Sequence, residues 1–194
     1  MLCQAITTSH TWTGTAEKLP FPDGSVDLVT ASSAAHYFEK SAFLAEANRV
    51  LKPGGCITIV DFTLHKTRLY YQDCGERLTD ILQEMFGILM VDTTTQVVLS
   101  ESTLQDVYEA ISFPDKQRVE GIKTKSSTSL GKLWGFIKAT SMFQIYKKKD
   151  EEKSEELIVN TKKRFLEEMG PTSPDTELER TLEYYCIMAS KPQE

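Results

Sequence analysis

Residues 26–61 read VDLVTASSAAHYFEKSAFLAEANRVLKPGGCITIVD, and the hydrophobic period changes twice within that stretch. Residues 26–31 are a short, nearly continuous apolar run, the pattern of a strand buried on both faces of a parallel sheet. From Ser41 the period lengthens, and Phe43, Leu44, Ala47, Val50 and Leu51 share one helical face. Ser41 stands where an N-cap is wanted, and Lys52-Pro53-Gly54-Gly55 stops the helix. Residues 56–60 are again apolar and rich in β-branched side chains, a second buried strand that ends at Asp61. A strand, a helix and a strand of these lengths predict a βαβ unit with the two strands parallel and adjacent.

Upstream, residues 5–12 mix threonine with apolar residues and read as one strand. Phe21-Pro22-Asp23-Gly24-Ser25 is a turn, with proline presetting φ and glycine free to take the left-handed position. Downstream the pattern is mostly helical. Tyr70, Cys74, Leu78, Ile81, Leu82, Met85 and Leu89 mark a long amphipathic helix, and Leu104, Val107, Tyr108 and Ile111 a shorter one. Residues 116–125 suit a strand. Ser126 to Ser129 offer caps for a helix carrying Leu130, Leu133, Trp134 and Ile137. The charged block 147–156 reads as a solvated helix face and loop, continuing through Ile158, Phe165 and Met169 to Gly170-Pro171. Leu182, Tyr184, Cys186 and Met188 alternate along a last strand, 182–189. That strand is expected beside 56–61, paired antiparallel with 116–125.

The 194 residues carry 22 Lys+Arg against 28 Asp+Glu, a net charge of -6. An acidic chain of this kind lacks the basic face that sequence-independent nucleic-acid binding requires. Its longest apolar run, 86–91, is too short to span a bilayer, and residues 1–10 have no signal-peptide pattern. Cys3, Cys56, Cys74 and Cys186 are scattered, and His10, His36 and His65 form no ligand motif. Reduced thiols, a cytoplasmic setting and no metal site are the expectation, with no nucleic-acid or membrane partner.

Two segments carry a resemblance. Residues 14–29, GTAEKLPFPDGSVDLV, resemble the G-x-A-E-x-L-P-F…S-[FV]-D-x-[VI] pattern of class I S-adenosylmethionine-dependent methyltransferases (the methyltransferase type 11 domain). Arg49-Val50-Leu51-Lys52-Pro53-Gly54-Gly55 is similar to that family's R-x-L-K-P-G-G. Ala34-Ala35-His36-Tyr37-Phe38 and Gly135–Ser141 look like segments of the group around trans-aconitate methyltransferase, with Thr140 where tryptophan is usual. The resemblance implies an α/β, Rossmann-like class I methyltransferase sheet with helical insertions. It also implies one domain over 1–194, with a cofactor side at 1–65. Residues 66–194 would carry substrate-side helices and an antiparallel strand pair.

The resemblance further implies S-adenosylmethionine as cofactor and a small molecule, a carboxylate among the classes, as methyl acceptor. Thr15, Ala16 and Glu17 would lie toward the adenine, and Ala31, Ser32 and His36 toward the methionine end. Tyr37, Trp134 and Lys138 would face the acceptor. His36 is the candidate catalytic base, or equally a wall histidine bonded to backbone. Glu17 serves as well to bind local backbone, and Trp134 to fill a core. None of the ten glycines is separated from another by a single residue, so the chain contains no GxG. On the resemblance, the chain is therefore an N-terminally shortened domain, missing its first two strands and the glycine-rich loop and holding the cofactor from one side only. The rival reading is a non-catalytic remnant that binds a protein through an exposed sheet edge.

Overall fold

The computed structural model describes residues 2–7, 10–91 and 100–193, with side chains from residue 13 onward except 100–103. In chain order the strands and helices are β1 (Leu2–Thr7), β2 (His10–Thr15), β3 (Val26–Ser32), α1 (Lys40–Val50), β4 (Leu51–Phe62), β5 (Arg68–Tyr70), α2 (Gly75–Val91), α3 (Ser100–Ala110), β6 (Asp115–Ser129), α4 (Leu130–Ala139), α5 (Ser141–Lys149), α6 (Glu151–Met169) and β7 (Glu177–Ser190). They fall into two compact units. One takes the described residues within Met1–Phe62, Leu99–Gly121 and Tyr184–Glu194, the other those within Thr63–Val98 and Ile122–Glu183. Among the described residues no helix is long and apolar enough to cross a membrane.

The first unit is built on the βαβ segment. β3 runs parallel to β4, from Leu28 opposite Cys56 to Ser32 opposite Val60. β4 runs antiparallel to the second half of β7, with Ile57 opposite Ala189 and Ile59 opposite Ile187. Phe43 and Ala47 of α1 pack with Ala31, Ile57, Ile59 and Ile187, and Leu104 and Val107 of α3, with Ile111 just after it, complete this core. Burying these side chains is the main force holding the unit together, at roughly 1.5–3 kcal/mol for each large one.

Four expectations change in this unit. Residues 5–12 are not one strand: β1 and β2 are an antiparallel ribbon pairing Leu2 with Thr15 and Thr7 with His10, and residues 8–9 lie outside the described residues. The two short strands satisfy their backbone groups on each other. β3 is not buried on both faces. It pairs only with β4 among the described strands, and Leu28 is 55% exposed. Ser41 is not the N-cap of α1. Glu39 is, its carboxylate accepting the N–H of Ser41 at 3.2 Å and of Ala42 at 2.6 Å. The longer side chain reaches the same orphan donors from a residue that already lies in extended backbone. Finally, Lys52 to Gly55 do end α1 but belong to β4, which is longer than the expected 56–61.

The second unit is a helical core. Leu78, Leu82, Met85 and Phe86 of α2 meet Leu133 and Ile137 of α4, Phe143 of α5, and Ile158 and Phe165 of α6. Tyr70, expected at the head of α2, lies instead in β5, which pairs antiparallel with the first half of β7. The N–H of Leu69 donates to the Thr79 hydroxyl at 2.9 Å, tying β5 to α2. β6 pairs with β7. Lys125 meets Glu179 at 3.0 Å and Ser127 meets Glu177, steps in opposite senses as in an antiparallel pair, and both contacts fall ahead of the expected 182–189.

Ser129 caps α4 by accepting the N–H of Lys132. α4, α5 and α6 then follow with single-residue corners. Thr140 ends α4 and begins α5, its hydroxyl donating to the Ile137 carbonyl and accepting the Phe143 N–H. Asp150 ends α5 and caps α6 through the Lys153 N–H at 3.0 Å. That explains threonine at 140, since a tryptophan indole has no acceptor for an N-cap.

Candidate functional site

The two sequence motifs of the first unit are held together by one side chain. The Arg49 guanidinium donates twice to Glu46 on its own helix, at 2.8 and 2.6 Å. It also donates to the carbonyls of Leu19 and Phe21 and, at 2.6 Å, to the Asp23 carboxylate. Glu46 in turn accepts the Leu19 N–H at 2.7 Å. The planar fork of arginine reaches two loop carbonyls and two carboxylates at once, which the point charge of lysine cannot do. This network holds the Glu46 carboxyl below its ordinary range, chiefly through the Arg49 hydrogen bond, and raises the Arg49 pKa. Gly24, in the left-handed region at φ +56, and Ser25 donate to the carbonyls of Arg49 and Val50 at the end of α1.

Glu17 is used in the same structural way. Its carboxylate accepts the N–H of Glu39 at 3.1 Å, and this bond leads the causes that lower its pKa, with the Thr15 hydroxyl a smaller one. Thr15, Ala16 and Glu17 therefore form a locally tied corner. The Ala16 and Ala31 side chains are buried in the apolar core, so only backbone of these two residues is free to line a site.

The carboxyl ends of β3 and β4 lie side by side, and polar groups gather there. Ser33 is held in the left-handed region at φ +47 and donates its N–H to the Val60 carbonyl at 2.8 Å. Ser32 and Ser33 are exposed. His36 begins its role one short turn later, within the single-turn helix Ala35–Tyr37. Its Nδ1 lies 3.1 Å from Oδ2 of Asp61, and Oδ1 of Asp61 accepts the Phe62 N–H at 2.9 Å. The His36 side chain is 12% exposed and that of Asp61 8%. The Tyr37 ring sits against the imidazole at 4.0 Å between centroids, tilted by 47°.

Asp61 was not among the candidate residues, although a carboxylate closing a buried strand is legible as a signal. Trp134 and Lys138 belong to the second unit. Trp134 is a core residue there, edge-on to Phe165 at 5.0 Å. Lys138 is paired with Glu155 at 3.0 Å. The first unit also has a cleft of about 260 Å³ lined by Ser41, Leu44, Asn48, Ile57, Ile111 and Phe113, and none of the candidate residues lines it. With no ionisable side chain on its wall, that cleft offers little for proton or charge chemistry, and the strand-end cluster is the candidate site.

Comparison with known proteins agrees on the class of this region. A family model described as a methyltransferase domain matches residues 3–59. The ubiquinone/menaquinone biosynthesis C-methyltransferase UbiE of Marinomonas sp. (strain MWYL1) is 31% identical over 108 residues, 55% of this chain and 40% of that protein. UbiE of Cupriavidus taiwanensis is 49% identical over 49 residues, 25% of this chain and 20% of that protein. The chain thus spans less than half the length of these curated relatives. A solved structure described as a type II methyltransferase candidate from Anaeromyxobacter dehalogenans shares the fold. Its TM-score is 0.67 at 19% identity, covering 91% of this chain and 70% of that one. The fold is a mixed α/β, Rossmann-like one, as the βαβ reading required.

Proposed function

We propose that this chain serves S-adenosylmethionine-dependent methyl transfer to a small-molecule acceptor. The observation that carries the reading is the cluster at the carboxyl ends of β3 and β4. There an exposed serine turn and the His36–Asp61 pair meet, next to a segment that matches a methyltransferase domain. Ligands of open α/β sheets bind at such strand ends.

The donor set there fits the amino-acid end of S-adenosylmethionine. Two serine hydroxyls and the turn backbone of 32–33 would hold its polar groups. When bound, that cofactor supplies an activated methyl group. The protein's part would be to position the acceptor and to take up its proton, the role this reading gives to His36. Glu17 takes no part on this reading, since its carboxylate is engaged by Glu39. A carboxylate acceptor gains no support from Lys138, whose ammonium already has Glu155.

Calorimetric titration of S-adenosylmethionine into the 194-residue chain tests the proposal. Saturable binding, displaced by S-adenosylhomocysteine and weakened when Ser32 and Ser33 are both replaced by bulky valine, is expected. No heat at millimolar cofactor sinks it. The second reading, a protein-binding module, rests on Leu28 standing 55% exposed on a strand that, among the described residues, is paired on one side only. It predicts a partner that protects the amides of 26–32 from hydrogen exchange.

A further inference from the structure

The His36–Asp61 pair says more about the acceptor than the fold does. Both oxygens of Asp61 act as acceptors, Oδ1 toward the Phe62 N–H and Oδ2 toward the imidazole. Nδ1 of His36 must then be the donor, and in the neutral ring the lone pair falls on Nε2. Nε2 has no hydrogen-bond partner among the described residues, and the ring keeps some exposure. One edge of the imidazole is thus fastened and the other is presented at the strand ends. Tyr37 packs on the ring and restricts its rotation.

We infer that Asp61 is a positioning residue that holds His36 as a proton acceptor at Nε2, and that the methyl acceptor is a hydroxyl compound of phenol or enol type. This rests on the methyl-transfer reading above. A carboxylate has already shed its proton at neutral pH, gains nothing from a base, and would approach the charge of Asp61. A hydroxyl needs both features. As its oxygen lone pair forms the bond to the methyl carbon, its proton passes to Nε2 of His36. The electron pair of the broken methyl–sulfur bond stays on sulfur, leaving a neutral thioether. The imidazolium so formed is balanced by Asp61 and returns its proton to water.

The test reads the ring directly. The chain has three histidines, so the ¹⁵N signals of His36 are assigned by their loss in His36→Gln. Above neutral pH the full chain should show His36 protonated at Nδ1. Asp61→Asn, whose amide can donate to Nδ1, should move the ring toward the Nε2-protonated form with an unchanged circular dichroism spectrum. Phenol added to the wild type should shift the Nε2 resonance, and benzoate should not. Where Asp61→Asn does not fold, the wild-type tautomer and the phenol–benzoate pair decide. A wild-type ring protonated at Nε2, or one that answers to benzoate and not to phenol, overturns the inference. Titration with S-adenosylhomocysteine separates the two failures. Binding of that thioether with the wrong tautomer removes the role of Asp61 alone. Its absence with the expected tautomer and phenol response removes the methyl-transfer reading and leaves the pair assigned.

Discussion

Glu46 and Arg49 stand one turn apart on α1 and share two hydrogen bonds, Nε to Oε2 at 2.8 Å and Nη2 to Oε1 at 2.6 Å. Because the same two side chains also grip Leu19, Phe21 and Asp23, the turn before β3 is fastened to the helix after it. The spacing between the two sequence motifs is therefore a spacing between partners.

The depressed pKa of Glu46 gives stability a pH dependence with a definite sign. A carboxyl whose folded pKa lies below its ordinary 4.5 stabilises the fold above that value, and the stabilisation is lost as pH falls through the folded pKa. Glu46→Gln should lower stability by about 1–2 kcal/mol at pH 7. Urea titrations from pH 7 downward should find the gap to wild type closing below pH 4.5. A gap that stays constant with pH would deny the ion pair its role.

Gly54 and Gly55 are both required, for different reasons. Gly54 has φ +73, and a Cβ there would come within 2.6 Å of the Gln193 side chain. Gly55 has ordinary backbone, but a Cβ would lie 3.1 Å from the Asp27 carbonyl of β3 and 3.0 Å from that of Lys52. Gly54→Ala should cost about 1–2 kcal/mol from the left-handed backbone, since the glutamine end can swing away. Gly55→Ala should cost at least as much, because backbone cannot move aside so cheaply. Chemical denaturation of the two variants measures both.

Lys191 places its ammonium 2.7 Å from the Asn48 carbonyl and 2.8 Å from that of Leu51, at the C-terminal end of α1. A cation there satisfies orphan carbonyls and opposes the negative end of the helix dipole. Lys191→Met should destabilise by about 1 kcal/mol, and high salt should recover little of it because the contacts are direct. Thermal melts at two salt concentrations check this.

The thiols should separate by reactivity. Cys74 and Cys186 are buried, and burial raises the pKa of each, so few thiolates form. Cys56 is half-buried. Iodoacetamide at neutral pH, followed by peptide mass mapping, should label Cys56 in the native chain and Cys74 and Cys186 only after unfolding. Early labelling of Cys186 would contradict the packing of β7.

What the sequence made legible was whatever periodicity and local turn chemistry control. The α1 face of Phe43, Ala47 and Val50 and the Ser129 cap stand as read, whereas along 182–189 Tyr185, Ile187 and Ala189 are buried and Met188 is 38% exposed, so the alternation of Leu182, Tyr184, Cys186 and Met188 does not mark the core face. What it hid depended on partners far along the chain. Ser41 looked like a cap because serine is a good one, but Glu39 was two residues away with a longer reach. The apolar run 26–31 suggested burial on both faces, yet burial is set by neighbouring strands, not by composition. His36 was visible as a titratable residue. Its partner, 25 residues on in sequence, became visible only when β3 and β4 aligned their ends. Trp134 and Lys138 carried substrate roles only by resemblance, and in the structure they meet Phe165 and Glu155.

The two corners at Thr140 and Asp150 bear on how the chain acquires its structure over time. From Leu130 to Met169 the backbone turns twice on a single residue, so no loop has to be closed before α4, α5 and α6 touch. Their mutual contacts are short in sequence, whereas β7 must find β4 across more than a hundred residues. Short-range contacts form faster than long-range ones. The expectation is therefore that the helical corner, with its two caps, forms early in folding. Thr140→Ala and Asp150→Ala should slow refolding in stopped-flow experiments while leaving the unfolding rate nearly unchanged, and accelerated unfolding in both would place the corners late instead.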